Sequence, residues 1–319
     1  MNEFELIDLL LGEMPPLPES VVIGPGGDDA AVLRVESGTE WVLTTDTLVA
    51  GRHFPEHCPP ALLARRALAV NLSDLAAMGA DPGAYLVALT APALDGPWLR
   101  AFATGLKAAR GDTGACLVGG NLARGPLAVT VTATGTVPAG QALRRDGARA
   151  GHGIWVSGRI GAGAAALADL RRAPETLAGL VGAEAPDTLA AYLTPVPRIA
   201  LGRALRDTAS ACIDVSDGLR ADLGHLCAAS GVGGRVALER VPTVGDPRGA
   251  VSAGDDYELL FTLPPSAEDR VDALAAAGDV PLTRIGRMVE EPGVVLFDPE
   301  GEPLPASGGG WDHFRDAGP

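Results

Sequence analysis

Lysine is nearly missing from this chain: among 25 basic side chains only Lys107 is a lysine, and the rest are arginines. A Walker A loop needs Gly-Lys-Ser/Thr and a protein-kinase site needs a strand lysine, and Lys107, in GLKAARGD, fits neither. Any nucleotide phosphate must therefore be handled by another device. Aromatic residues make up 4% of the chain, so its cores must be built from Ala, Leu and Val. Four cysteines (Cys58, Cys116, Cys212, Cys227) form no CxxC and no regular spacing, which points to buried thiols rather than zinc sites or disulfides. The opening MNEFELIDLL is acidic where a secretory leader is basic, and no apolar run approaches the roughly 20 residues needed to cross a bilayer. The expectation is a cytoplasmic protein with no membrane partner. Positive charge is scarce as well. The formal net charge of −15 argues against a nucleic-acid or anionic-membrane surface.

What is present is substantial. A hydrophobic fraction of 47% over 319 residues excludes global disorder and suits two domains. Phe4, Ile7, Leu10 and Leu11 have helical spacing. WVLTTDT reads as a strand with a polar end, and a helix runs from Pro59-Pro60 to Gly79. YLVALT (85–90) and LAVTVTATGTV (127–137) read as strands, with a helix from Trp98 to Arg110 between them. The polar stretch 138–153 marks a domain boundary, giving domains 1–138 and 139–319. Beyond it, GIWVSG, ACIDVS, RVALER and YELLFTL read as strands, with helices at AAALADL and from Asp217 to Ala229. Alternating elements argue for α/β or α+β layers.

The chemistry concentrates on short Gly/Ser/Thr runs that close on aspartate: GGDD (26–29), TTDT (44–47), NLSD (71–74), DVSD (214–217) and AGDD (253–256). Thr44, Thr45 and Asp46 stand where the polar end of a strand would place a ligand site. Asp74 lies in an Ala/Leu-rich helix with Asn71 three residues before it. A buried carboxylate there needs a cation or an arginine such as Arg65 or Arg66. Helix capping accounts for Ser216 and Asp217 but not for Asp214. Carboxylates and hydroxyls from several separate segments are hard oxygen donors that suit Mg²⁺ bridging to nucleotide phosphates. GGNLARG (119–125) by itself reads as a loop, and it breaks the pattern with Asn121 in place of a carboxylate. GAGAAA (161–166) matches a dinucleotide fingerprint, but no acid-tipped strand follows and such a match is cheap in an Ala/Gly-rich chain. The five histidines show no Ser-His-Asp logic. Trp311, behind three glycines, is equally a core seal or a movable wall over a ring-shaped substrate.

DDAAVL, TTDTLVAGRHF, NLSDLAAMGADP, GGN-xx-RGPL, IDVSDGLRADLGHL, GDDYELLFT and WDHF together resemble the thiamine-monophosphate kinase family, in order over nearly the whole chain. The wider superfamily includes aminoimidazole ribonucleotide synthetase, selenide water dikinase and a hydrogenase-maturation dehydratase. The resemblance implies an N-terminal α/β domain that helps form a homodimer, followed by a C-terminal α+β domain. It implies transfer of the ATP γ-phosphoryl group to thiamine monophosphate, with several Mg²⁺ ions and no general base. By motif, Asp29, Thr44, Thr45, Asp46, Asp74, Asp214 and Asp217 match magnesium ligands. Gly120, Asn121, Arg145 and Ser216 match nucleotide-contacting positions, and His53, Asp255 and Trp311 match substrate-contacting ones. Two departures stand out: Asp255 replaces a usual glutamate, and Asn121 replaces a magnesium-binding aspartate, implying one weakened metal site. Another ATP-dependent enzyme of the superfamily is the alternative; the reactive N-terminal cysteine of the selenium enzyme and the C-terminal cysteine tail of the dehydratase are both missing from the sequence. A nucleotide- or thiamine-phosphate-binding protein with little catalysis is the reading that Asn121 motivates.

Overall fold

Threonine at every second position from Thr130 to Thr136, with valine or alanine between most of them, dictates a strand with one apolar and one polar face. The strand so encoded is the spine of a four-stranded sheet. The computed structural model describes residues 3–24, 31–34, 36–111, 113–180, 182 and 184–305. In chain order the first half comprises α1 (Glu3–Gly12), β1 (Val21–Ile23), β2 (Val32–Leu33), β3 (Thr39–Val49), α2 (Pro60–Ala77), β4 (Asp81–Ala91), α3 (Gly96–Arg110), β5 (Cys116–Arg124) and β6 (Ala128–Pro138). The second comprises β7 (Gly153–Ser157), α4 (Ala162–Arg172), α5 (Asp187–Leu193), α6 (Ile199–Leu205), β8 (Ala211–Asp214), α7 (Leu219–Ser230), β9 (Gly233–Ala237), α8 (Pro247–Ala250), β10 (Leu259–Leu263), α9 (Val271–Gly278), β11 (Leu282–Val289) and β12 (Gly293–Phe297).

Two compact units form. One takes in residues up to Leu75, 81–140 and 170–195; the other takes in 76–80, 141–169 and 196 onward. In the first unit the sheet order is β3-β6-β4-β5, antiparallel except for the β4–β5 pair. Its apolar face is covered by α2, whose Leu62, Leu63, Leu68, Leu72 and Leu75 are fully buried. Asp95 caps α3 by accepting the Trp98 N–H at 2.8 Å, and a Cβ on Gly105 would lie 1.9 Å from the Ala61 carbonyl. Only glycine lets these two helices pack so closely.

The second unit holds a six-stranded sheet, β12-β9-β11-β7-β10-β8, antiparallel apart from β12–β9. Helix α7 covers one face, and Leu219, Leu223 and Leu226 join Ile154, Val156, Ile213, Val236, Ile285 and Leu296 in its core. The four cysteines are buried and free, and burial pushes the Cys227 thiol up to about 11.

Two expectations need correcting. GGNLARG is not a loop: it forms most of β5, because β4 offers it a full parallel partner. A Cβ at Gly120 would lie 1.9 Å from the Val87 carbonyl, so that glycine marks close backbone approach rather than a turn. Nor do Thr44–Asp46 end their strand. β3 pairs with β6 over its whole length, from Thr39 opposite Pro138 to Val49 opposite Ala128, which leaves them in its middle.

Candidate active site

Strand alternation sorts the candidates of the first unit. Thr44, Asp46 and Leu48 share the inward face of β3, while Leu43, Thr45 and Thr47 face outward and are exposed. On the inward face, Thr44 Oγ1 donates to Asp74 Oδ2 at 2.5 Å, tying β3 to α2. A hydroxyl whose proton is committed to Asp74 turns its lone pairs elsewhere, which is how a cation ligand is oriented. Asn71, one turn earlier on α2, is fully buried; its Nδ2 donates to the Ala67 carbonyl and its Oδ1 has no hydrogen-bond partner among the described residues. Both arginines weighed as partners for Asp74 have anchors of their own. Arg65 lies 2.9 Å from Glu184, and buried Arg66 donates to the Tyr192 carbonyl with its guanidinium 4.1 Å above the Tyr192 ring.

Thr45 is turned away from this group: its hydroxyl donates to the Val131 carbonyl and lies 3.0 Å from the Thr132 hydroxyl on the outward face. Asn121 shares that face. The register sets Thr47, Thr130, Ala88 and Asn121 in one cross-strand row, and Asp46, Val131, Val87 and Gly120 in the next. Since β3 and β5 are opposite edges of the sheet, Asp46 and Asn121 are three strand spacings apart, about 14 Å. The chain therefore does not bring Asn121 to Asp46 within its own sheet. His53, in the turn after β3, accepts the Val49 N–H on Nδ1 at 3.0 Å, while its carbonyl accepts Tyr192 Oη at 2.8 Å. In the neutral ring the proton then sits on Nε2. Asp29 and Trp311 lie outside the described residues.

The second unit presents its own carboxylates where β8 ends. Asp214 is buried at the last position of β8, and Ser216 and Asp217 are half-buried just beyond it. The expected capping role of Ser216 and Asp217 is not observed. The residue preceding α7 is Gly218, with no side-chain cap. Instead Asp222, inside the first turn of α7, accepts the N–H groups of Ser216, Asp217 and Gly218 on a single oxygen, each at 3.1 Å. Burial, then the Asp217 charge, pushes the Asp222 carboxyl up to about 7 against those three donors. Carboxylates of Asp217 and Asp222 and a ring nitrogen of His225 lie within 4.8 Å of one another. Neither Asp222 nor His225 was among the sequence candidates, although DVSDGLRAD places the acid where the first helical turn folds back on the loop.

A second segment laces into this one. The Asp255 N–H donates to the Ser216 carbonyl at 2.9 Å, and the Tyr257 N–H to the Val215 carbonyl at 2.8 Å. Asp255 (φ 69°) and Tyr257 (φ 52°) both occupy the left-handed region, a local strain of order 1–3 kcal/mol each that clusters at functional sites. The acids of DDYE divide their labour. Asp256 accepts the N–H groups of Gly161 and Gly163 at 2.8 and 3.2 Å, so the N-terminus of α4 in the GAGAAA segment is already held by a carboxylate. Burial pushes the Asp256 carboxyl up to about 7. Glu258 is bound bidentately by Arg198, at 2.8 and 2.5 Å, and accepts Ser157 Oγ at 2.5 Å. Asp255 itself accepts Tyr257 Oη at 3.0 Å and stays beside Ser216. Arg145 is exposed, and its carbonyl accepts Ser230 Oγ at 2.7 Å.

Residues 27–137 match the family described as AIR synthase related protein, N-terminal domain, and residues 149–299 match AIR synthase related protein, C-terminal domain. The thiamine-monophosphate kinase of Salmonella typhimurium is 44% identical over 298 residues, 90% of this chain and 91% of that one. The chain belongs to the thiamine-monophosphate kinase family. Within that family, a crystal structure of the kinase from Stenotrophomonas maltophilia K279a is 40% identical, with a TM-score of 0.82 over 95% of this chain and 98% of that one. A structure of AaThiL complexed with AMPPCP and TMP is 28% identical, with a TM-score of 0.75 over 98% and 96% of the two chains. The fold of this chain consists of two units, each built on a mixed sheet. Among the described residues no helix is long and apolar enough to cross a membrane.

Proposed function

We propose that the chain transfers the γ-phosphoryl group of ATP to thiamine monophosphate in one in-line step, giving thiamine diphosphate, in the cytoplasm. The observation that carries this reading is the family membership joined to oxygen-rich clusters at the motif positions. The relative bound to AMPPCP and TMP, an ATP analogue and a phosphate monoester, supports the substrate pair. Thr44, Asp46 and Asp74 in one unit, and Asp214, Ser216 and Asp217 in the other, are hard oxygen donors without cysteine, a set that fits Mg²⁺. When bound there, Mg²⁺ neutralises phosphate charge that these carboxylates would otherwise repel.

The chain's own work is alignment. The acceptor phosphate is mostly ionised at neutral pH, because its second pKa is about 6, so no side chain needs to take a proton. Asp74 orients the Thr44 hydroxyl, and Asp222 fixes the backbone on which Ser216 and Asp217 stand. His53 and Asp255 are assigned to the thiamine phosphate; Gly120, Arg145 and Ser216 are assigned to the nucleotide. Purified protein with MgATP and thiamine monophosphate should form thiamine diphosphate, and Asp46→Ala or Asp74→Ala should abolish it. Full turnover in either variant would refute the metal assignment, and saturable binding without product would favour a binding protein.

We further propose a homodimer that joins the edge of β3 in one chain to the edge of β5 in another. Both edges are long, nine residues or more, and long open edges are templates for pairing. Leu43 and Leu86 are exposed on the same outward face. Such pairing would bring Asn121 of one copy beside Thr45 of the other on the outward face, closing the separation of about 14 Å within one chain, so that a cation at this seam would be held by Asn121 and Thr45 while Asp46 serves the inward face. Sedimentation should then give a dimer, and Asn121→Asp should raise apparent Mg²⁺ affinity. A monomer with full activity would refute it.

A further inference from the structure

Val236, Ile285 and Met288 point into the core that α7 covers, so alternation sends Arg235, Arg284 and Arg287 to the opposite face of the six-stranded sheet. There a cavity of about 410 Å³ is lined by these three arginines, by Arg240 and by Phe297; among the described residues no carboxylate lines it. Four guanidinium groups around one cavity are unexpected in a chain of net charge −15. Arg287 and Arg235 are directly opposed in the β11–β9 register. Like charges in that position repel and destabilise a sheet unless something between them relieves it.

Among the described residues, only one carboxylate answers these charges. Glu268 pairs with Arg284 at 2.9 Å. Arg235 donates from one nitrogen to the Gly234 and Gly293 carbonyls, which leaves its charge uncompensated. Among the described residues the Arg240 and Arg287 side chains form no hydrogen bond or ion pair. Four positive charges against one carboxylate leave three.

We propose that this cavity binds a small molecule bearing a diphosphate group, with Arg235, Arg240 and Arg287 as its ligands. Three positive charges match a diphosphate at neutral pH, and planar guanidinium forks match phosphate oxygens bidentately. The volume falls in the range of small-molecule sites. The site is separate from the Asp214–Asp217 cluster, because β8 lies three strand spacings from β11, about 14 Å. It does not depend on the phosphotransfer reading.

The test is calorimetric titration of the full chain with inorganic pyrophosphate in EDTA, where carboxylate clusters without a cation repel the probe. One pyrophosphate should bind per chain, with affinity that falls as salt rises. The double variant Arg240→Ala/Arg287→Ala should weaken binding by at least about tenfold, the loss expected from removing two charge-assisted contacts, while Asp214→Ala should leave it intact. The urea-unfolding midpoint of the double variant should match that of the unaltered chain, showing that it folds. Absence of saturable binding, unchanged affinity in the double variant, or loss of binding in Asp214→Ala would each overturn the proposal.

Discussion

Asp222→Ala tests whether the loop after β8 is held from inside the following helix. The side chain accepts three backbone N–H groups at 3.1 Å, and that of Gly218 is fully buried. Leaving one buried donor unsatisfied costs about 1–3 kcal/mol. The Ser216 and Asp217 donors are part-buried, so water recovers much of theirs and each adds about 0.5–1 kcal/mol. Against this, truncation relieves the burial of the carboxylate and its repulsion by Asp217, the two causes of its raised pKa. The net loss should be about 2 kcal/mol of stability. Ser216 and Asp217 would also lose their fixed positions, and misplacement by about 1 Å at a reacting centre costs on the order of 100-fold in rate. Urea unfolding and chromatographic detection of thiamine diphosphate measure both effects. Asp222→Asn is the control, because one amide oxygen can accept the same three donors, so it should retain most of the stability and activity. The reasoning fails if Asp222→Ala leaves kcat/KM within threefold of the original, or if Asp222→Asn is as damaged as Asp222→Ala.

Thr44→Val removes the hydroxyl that joins β3 to Asp74 while keeping its shape; the Mg²⁺ concentration for half-maximal activity should rise about tenfold, the size of one charge-assisted hydrogen bond, with little change in unfolding midpoint. Arg198→Ala strands Glu258 as a buried carboxylate and should cost about 3 kcal/mol in urea unfolding; a loss below 1 kcal/mol would mean that water replaces the guanidinium. Asp256 governs a pH effect. Its carboxyl titrates at about 7 when folded against 3.8 ordinarily, so between those values the folded chain holds a proton that the unfolded chain has released. Its stabilisation is complete below pH 3.8 and is lost as pH rises through 7, by up to about 4 kcal/mol. Asp256→Asn should flatten its share of that decline when midpoints at pH 5 and pH 8 are compared, and identical slopes would refute the assignment.

Much of this molecule is legible in its sequence because the signals are local. Alternating threonines make a strand, Asp95 before Gly-Pro-Trp makes a capped helix, and a helix as apolar as α2 makes any carboxylate in it conspicuous. Motif order alone supplied the family, which the relatives bear out, and it singled out the aspartates at 46, 74, 214 and 217 as candidates. Pairing is not local, and there the sequence falls short. GGNLARG resembles a turn until β4 lies beside it. Thr44 and Thr45 are neighbours in the chain, yet the pleat puts one against Asp74 and the other against Thr132. Ser216 and Asp217 resemble helix caps until Asp222, folding back one helical turn, takes their backbone donors. Motif order therefore determined the family to which this chain belongs, whereas register and long-range hydrogen bonding decided which of its oxygens stand together, because a side chain's direction depends on partners far away in the chain.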